Sequence, residues 1–159
     1  MYRLTGFGDE IGPDLREQTR VMAGEEIRYL EFRGAWGKNI LDLDDRERSD
    51  ARDILREAGF GVSSIGSPIG KVKITDDFAP HYDRFVRAVA TAKFFGTRYV
   101  RVFSYYPPEG GEIGRYRDEV MKRMERKARY AEKQGVVLLN ENELDIYGED
   151  PEGCAEIIK

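Results

Sequence analysis

Residues 131–141, Ala131-Glu132-Lys133-Gln134-Gly135-Val136-Val137-Leu138-Leu139-Asn140-Glu141, carry the pattern that decides the fold. A charged helical stretch ends at a glycine, and an apolar, β-branched run follows at once. Glycine closes a helix because it takes the left-handed backbone without steric cost. The same punctuation stands upstream. Gly96 precedes Tyr99-Val100-Arg101-Val102-Phe103, and Gly59 precedes Val62-Ser63-Ser64-Ile65. Gly24 precedes Ile27-Arg28-Tyr29-Leu30-Glu31-Phe32, with Glu25 and Glu26 between. These glycines are 35, 37 and 39 residues apart, the interval of one strand-plus-helix unit used repeatedly.

Helical periodicity supports the repeat. Ala51, Ile54, Leu55 and Ala58 recur at i, i+3, i+4 and i+7 on an otherwise charged segment. Phe85, Val89 and Ala92 form the next apolar stripe, after Pro80, and Val120, Met124, Ala128 and Ala131 the one after. Leu15, Thr19 and Met22 give a weaker stripe from about Asp14. A fifth helix is predicted to start at Asp150-Pro151, an N-cap followed by proline at the first helical position. Strands are predicted near 3–7, 27–33, 61–66, 98–104 and 136–141. A single domain over 1–159 is expected, and alternating βα order implies a parallel sheet.

Two α/β architectures satisfy that order. One is a complete five-stranded doubly wound open sheet. The other is a TIM barrel truncated to about five of its eight βα units. Strand alternation favours the barrel. Tyr29, Glu31 and Arg33 share one face of the second strand, Tyr99, Arg101 and Phe103 one face of the fourth, and Val137, Leu139 and Glu141 one face of the fifth. A doubly wound sheet buries both faces and tends to be apolar on both. A barrel turns one face inward and places its active site at the C-terminal rim, where these charges fall.

Composition excludes several classes. The chain has 159 residues, 40% of them hydrophobic, enough for one core. Charged residues make up 35% with a net charge of −4, which disfavours nucleic acid as a partner. No apolar run approaches the ~18 residues of a membrane span. The N-terminus, Met1-Tyr2-Arg3-Leu4-Thr5-Gly6-Phe7, has no signal-peptide core and reads directly as structure. A lone cysteine, Cys154, excludes an intrachain disulfide and fits the cytoplasm.

Five phrases, in order and at strand ends, carry a family resemblance: Gly6-Phe7-Gly8-Asp9-Glu10-Ile11; Tyr29-Leu30-Glu31-Phe32-Arg33-Gly34-Ala35-Trp36-Gly37-Lys38-Asn39; Ile65-Gly66-Ser67-Pro68-Ile69-Gly70-Lys71; Tyr99-Val100-Arg101-Val102-Phe103-Ser104; and Leu138-Leu139-Asn140-Glu141-Asn142-Glu143. They resemble sugar phosphate isomerases/epimerases of the xylose isomerase-like TIM-barrel superfamily, from Tyr2 to the end of the chain. The resemblance implies a divalent metal, Mn, Mg, Co or Zn, at the barrel mouth. Its implied ligands are a Glu ending strand 5, an Asp or Glu on strand 6, a His on strand 7 and a Glu on strand 8. Only the first falls in this chain, and it matches Glu141, so the chain alone is expected neither to hold the metal nor to turn over. The implied chemistry is removal and return of a proton next to a carbonyl of a small sugar or polyol, with the metal stabilising the enediolate. Glu141 would be both ligand and one of the two carboxylates.

Other residues have bland readings beside functional ones. Glu31 and Arg33 are either an interior ion pair or substrate contacts. Arg101 is either a partner in that pair or a substrate contact. Lys71 is placed to meet an anionic group, although its loop lacks a phosphate-loop spacing. Trp36 is a sugar-stacking platform or a rim-packing residue. His81 is expected at the surface. Lys122, Arg123, Arg126, Lys127 and Arg129, interleaved with Glu119, Glu125 and Glu132, are expected to form a solvated helix face. Open barrel edges at the first and fifth strands would favour self-association. The rival functions are a non-catalytic barrel fragment or binding subunit and an endonuclease IV-like repair nuclease, the latter disfavoured by acidity and scarce histidine.

Overall fold

A computed structural model describes residues 2–159. In chain order the elements are β1 (Thr5–Gly6), α1 (Leu15–Gly24), β2 (Tyr29–Phe32), β3 (Gly34–Ala35), β4 (Lys38–Asn39), α2 (Asp45–Glu57), β5 (Gly61–Ile65), α3 (Phe78–Phe94), β6 (Tyr99–Val102), α4 (Arg117–Lys133), β7 (Val137–Asn140) and α5 (Pro151–Ile158). All five expected βα units are present. The antiparallel β3–β4 hairpin, Gly34 opposite Asn39, is an addition that the sequence pattern did not announce. The chain divides into two compact units, Met1–Ser67 with Thr91–Tyr99, and Pro68–Ala90 with Val100–Lys159.

In the first unit β2 lies between β1 and β5, all parallel, with Thr5 beside Tyr29 and Tyr29 beside Gly61. Leu30 and Phe32 alternate inward on β2 and are buried with Leu15, Leu43, Leu55 and Ile65. Asp14 caps α1 by accepting the Glu17 N–H. Asp44 and Glu47 form a reciprocal capping box on α2. Gly59 ends α2 with φ +70°. After α1 the left-handed residue is Glu26, with φ +60°, and Gly24 stays helical. The glycine signal was therefore weakest where the turn uses another residue.

In the second unit β7 neighbours β6. Gly135 supplies the left-handed turn into β7, with φ +71°. Asp150 caps α5 by accepting the Gly153 N–H, and Pro151 stands in its first turn. The buried face of α4 is Val120, Arg123, Met124, Lys127 and Ala131. This corrects the expected stripe: Ala128 is exposed, and Lys127 occupies the buried position instead. It also corrects the solvated-face reading for Arg123 and Lys127, since the true stripe runs i, i+3, i+4, i+7 from Val120 through both cations. Among the described residues, no helix is long and apolar enough to cross a membrane.

Candidate functional site

The C-terminal ends of β6 and β7 gather two ion pairs of the second unit, Arg101 with Glu141 and Lys71 with Glu143. The Glu141 N–H donates to the Val102 carbonyl at 3.0 Å, which extends the strand pairing one residue past β7. That bond sets Glu141 beside Arg101, whose Nη1 donates to Glu141 Oε2 at 3.2 Å. Arg101 is the buried member, with its side chain 9% exposed against 41% for Glu141.

Lys71 reaches the same place through an unusual backbone contact. Gly70 has φ +100°, and a Cβ there would lie 1.9 Å from the Phe103 carbonyl oxygen. Only glycine fits that position. The Phe103 N–H donates to the Ile69 carbonyl at 2.7 Å, locking the loop to the strand end. Lys71 Nζ then sits 4.3 Å from the centroid of the Phe103 ring and 2.5 Å from Glu143 Oε2. The Arg101 guanidinium lies 5.0 Å from the same ring centroid. Each cation thus sits near the aromatic face and holds one carboxylate.

Glu143 has a second donor, the Tyr106 hydroxyl. That bond, and then burial, push the Tyr106 phenol up to about 12. Burial by itself would raise the Glu143 carboxyl, but hydrogen bonds from Lys71 and Tyr106 outweigh it and hold the group below its ordinary value. Glu143 and Tyr106 were missed from sequence. The signal for Glu143 was its place two residues after Glu141; Tyr106 gave none.

Glu31, Arg33 and Trp36 belong to the first unit. Arg33 Nε donates to Asp9 Oδ2 at 2.7 Å and its Nη2 to Glu10 Oε1 at 2.9 Å, while its guanidinium lies 4.8 Å from the Phe7 ring centroid. Its carboxylate contacts thus include the 3-10 turn after β1, which raises the guanidinium's pKa, chiefly through the Asp9 bond. Arg33 lines a cleft of about 440 Å³ with Asp9, Pro13, Ala35, Lys38 and Asn39. Trp36 takes φ +55° in the β3–β4 turn, where its N–H donates to the Pro13 carbonyl. Glu31 is half-buried on β2.

His81 is buried, contrary to expectation. Its Nε2 accepts the Gly70 N–H at 3.2 Å, and its ring meets the edge of Tyr105 at 5.7 Å between centroids. Burial, followed by the charges of Lys127 and Arg123, lowers it to about 4. A neutral imidazole that accepts a backbone bond is part of the scaffold beneath Lys71.

Among the described residues no three His, Cys, Asp or Glu side chains converge as a metal site would require. Glu141 offers one carboxylate, already paired with Arg101. These residues alone therefore do not fit a divalent ion.

Residues 23–159 match the family described as xylose isomerase-like TIM barrel. The chain belongs to that family. No curated protein matches it. Solved structures share the fold. A xylose isomerase-like TIM barrel protein from Mycobacterium smegmatis in complex with magnesium superposes with TM-score 0.70 and 19% identity, over 90% of this chain and 51% of that one. The probable 3-DHS dehydratase AsbF of Bacillus anthracis gives TM-score 0.75 and 13% identity, over 99% and 57%. D-allulose 3-epimerase from a Methylomonas species, in complex with D-allulose, gives 0.70 and 16%, over 99% and 59%. The chain thus spans between half and three-fifths of each neighbour. These barrel relatives decide between the two architectures the sequence allowed.

Proposed function

We propose that this chain, 1–159 as one domain, supplies five βα units of a metal-dependent sugar or sugar phosphate isomerase/epimerase acting by proton transfer next to a carbonyl. The observation that carries the reading is the Arg101–Glu141 pair at the C-terminal ends of neighbouring strands, the rim where barrel enzymes do their chemistry. In this reading Glu141 is a proton-transferring carboxylate and a metal ligand of the complete barrel, and Arg101 orients it. Lys71, Arg101, Glu31, Arg33 and Trp36 are proposed contacts to the hydroxyls or phosphate of a small sugar or polyol. A Mn, Mg, Co or Zn ion would need ligands besides Glu141, so the 159-residue chain is expected to be inactive alone.

One alternative is a non-catalytic fragment or binding subunit, which needs no three-ligand cluster either. The lone cysteine supports a cytoplasmic setting. Val137 and Leu139, 36% and 41% exposed on β7, support self-association, which light scattering across a dilution series would show. The function is tested by screening the full translated protein containing this chain against ketoses, inososes and hydroxypyruvate with each metal. Metal-dependent turnover that Glu141→Gln abolishes, with the fold retained, is the expected result. Unchanged turnover in that variant overturns the assignment.

A further inference from the structure

Lys127 is completely buried, and its Nζ has no hydrogen-bond partner. It lies 4.6 Å from the centroid of the Tyr105 ring, and the Tyr105 hydroxyl is likewise buried without a partner. A lysine amine in such a place meets opposing demands. The aromatic face favours the ammonium modestly, while a dry interior without an acceptor strongly disfavours it.

The surroundings do not redress the balance. On α4 itself Arg123 repels a second cation, and Glu119 is occupied by Arg123 at 2.8 Å. Arg123 also spends a donor on the Asp76 carbonyl and lies 5.6 Å from the Tyr105 ring centroid. From α3, His81 packs edge-on against Tyr105 and accepts the Gly70 N–H. Arg84 and Asp76 act on His81, and Glu119 acts on Tyr105. Burial first, and then Arg123, bring the Lys127 amine down to about 7.

Tyr105 connects this group to the site. It holds a left-handed backbone, φ +73°, in the loop after β6. The next residue is Tyr106, the hydroxyl donor to Glu143. The Tyr106 N–H donates to the Val72 carbonyl at 3.0 Å, and its own carbonyl accepts the Ile74 N–H at 2.8 Å. The Tyr105 side chain therefore packs into the helix layer on Lys127 while its neighbour joins the rim cluster.

We propose that Lys127 is a proton-sensitive prop under this loop: ionisation of its buried amine displaces the Tyr105 ring and weakens the Tyr106–Glu143 contact. An ammonium at this position must draw in water or swing outward, and either movement removes what the ring rests on. The neutral amine leaves the loop as described. The device needs no substrate or metal, so its test is independent of the proposed activity.

The test is nuclear magnetic resonance of the 159-residue chain from pH 5.5 to 9.5. The Lys127 ε-carbon and the Tyr106 ring carbons are observed, assigned with Lys127→Met and Tyr106→Phe. The expected result is a Lys127 midpoint near 7, a Tyr106 shift with the same midpoint, and loss of that shift in Lys127→Met. A Lys127 midpoint above about 9, close to an ordinary lysine, overturns the proposal. So does a Tyr106 signal that stays constant through the Lys127 transition, or one that moves unchanged in Lys127→Met. Should Lys127→Met fail to fold, the two wild-type midpoints decide the matter on their own.

Discussion

Arg101 Nη1 lies 3.2 Å from Glu141 Oε2, and it is the arginine that is buried. The pair is therefore asymmetric. Glu141 can exchange Arg101 for water at little cost, whereas a change at Arg101 disturbs packing against Phe103 as well as the ion pair. Glu141→Gln, which keeps an acceptor oxygen, is expected to lower the unfolding free energy by no more than about 1 kcal/mol. Arg101→Met is expected to cost about 1–3 kcal/mol. Urea denaturation of the two variants checks this; equal losses would contradict the asymmetry.

The second carboxylate of the rim should report on its phenol. Tyr106 is pushed up to about 12, first by its bond to Glu143. In Glu143→Gln that bond loses its charged acceptor, and the phenol is expected to move down toward about 10. Resonances of Tyr106 followed to high pH measure the shift. No change would mean that the hydroxyl does not donate to Glu143.

Gly70 should tolerate no side chain. Its φ of +100° and the 1.9 Å approach of a would-be Cβ to the Phe103 oxygen leave no room for alanine unless the Ile69–Phe103 backbone bond breaks. Gly70→Ala is expected to cost about 3 kcal/mol or more, or to prevent folding. Thermal unfolding of this variant beside Gly96→Ala gives the contrast. Gly96 also has positive φ, but nothing lies within 4 Å of its would-be Cβ, so only a smaller strain cost is expected there.

Two buried bases should make the chain acid-sensitive. Lys127 is lowered from 10.5 to about 7 and His81 from 6.5 to about 4. For each, the unfolded chain binds more protons between the folded and unfolded values, so stability rises with pH across that interval. Stability is therefore expected to fall as pH drops from about 10 to 7, chiefly through Lys127, and again from about 6.5 to 4 through His81. Lys127→Met should flatten the upper segment and gain up to about 5 kcal/mol at pH 6, since each pH unit of that interval is worth about 1.4 kcal/mol. Denaturant midpoints across pH check both segments; an unchanged upper slope in Lys127→Met would contradict the assignment.

The repeat, the helix starts and the barrel-like alternation were legible because each rests on local chemistry. Asp14 and Asp150 cap where their side chains can reach backbone N–H groups, and Gly59, Gly96 and Gly135 take the left-handed turns. The place of Glu141 at a strand end was legible from the strand pattern, and its proposed role rests on the family phrase. The burial of Lys127 and His81 was not legible. A charged or polar side chain reads as solvated by default, whereas position 127 is interior, with Tyr105 packed against its amine. The Lys71–Glu143 and Tyr106–Glu143 contacts join residues from separate loops, so no sequence spacing encodes them. The β3–β4 hairpin escaped notice because its strands are two residues each, too short for any periodicity.

Glu141 is proposed above as a carboxylate of a metal-dependent proton-transfer site. The most direct test is exchange of the hydrogen next to the carbonyl of a ketose or inosose with deuterated solvent, followed by proton resonance. It is run with Mn, Mg, Co and Zn on the full translated protein containing this chain, on its Glu141→Gln variant and on residues 1–159 alone. Metal-dependent exchange is expected in the full protein, with its loss in Glu141→Gln with the fold intact and none from residues 1–159. Undiminished exchange in Glu141→Gln, or metal-dependent exchange by the isolated chain, would contradict the proposal.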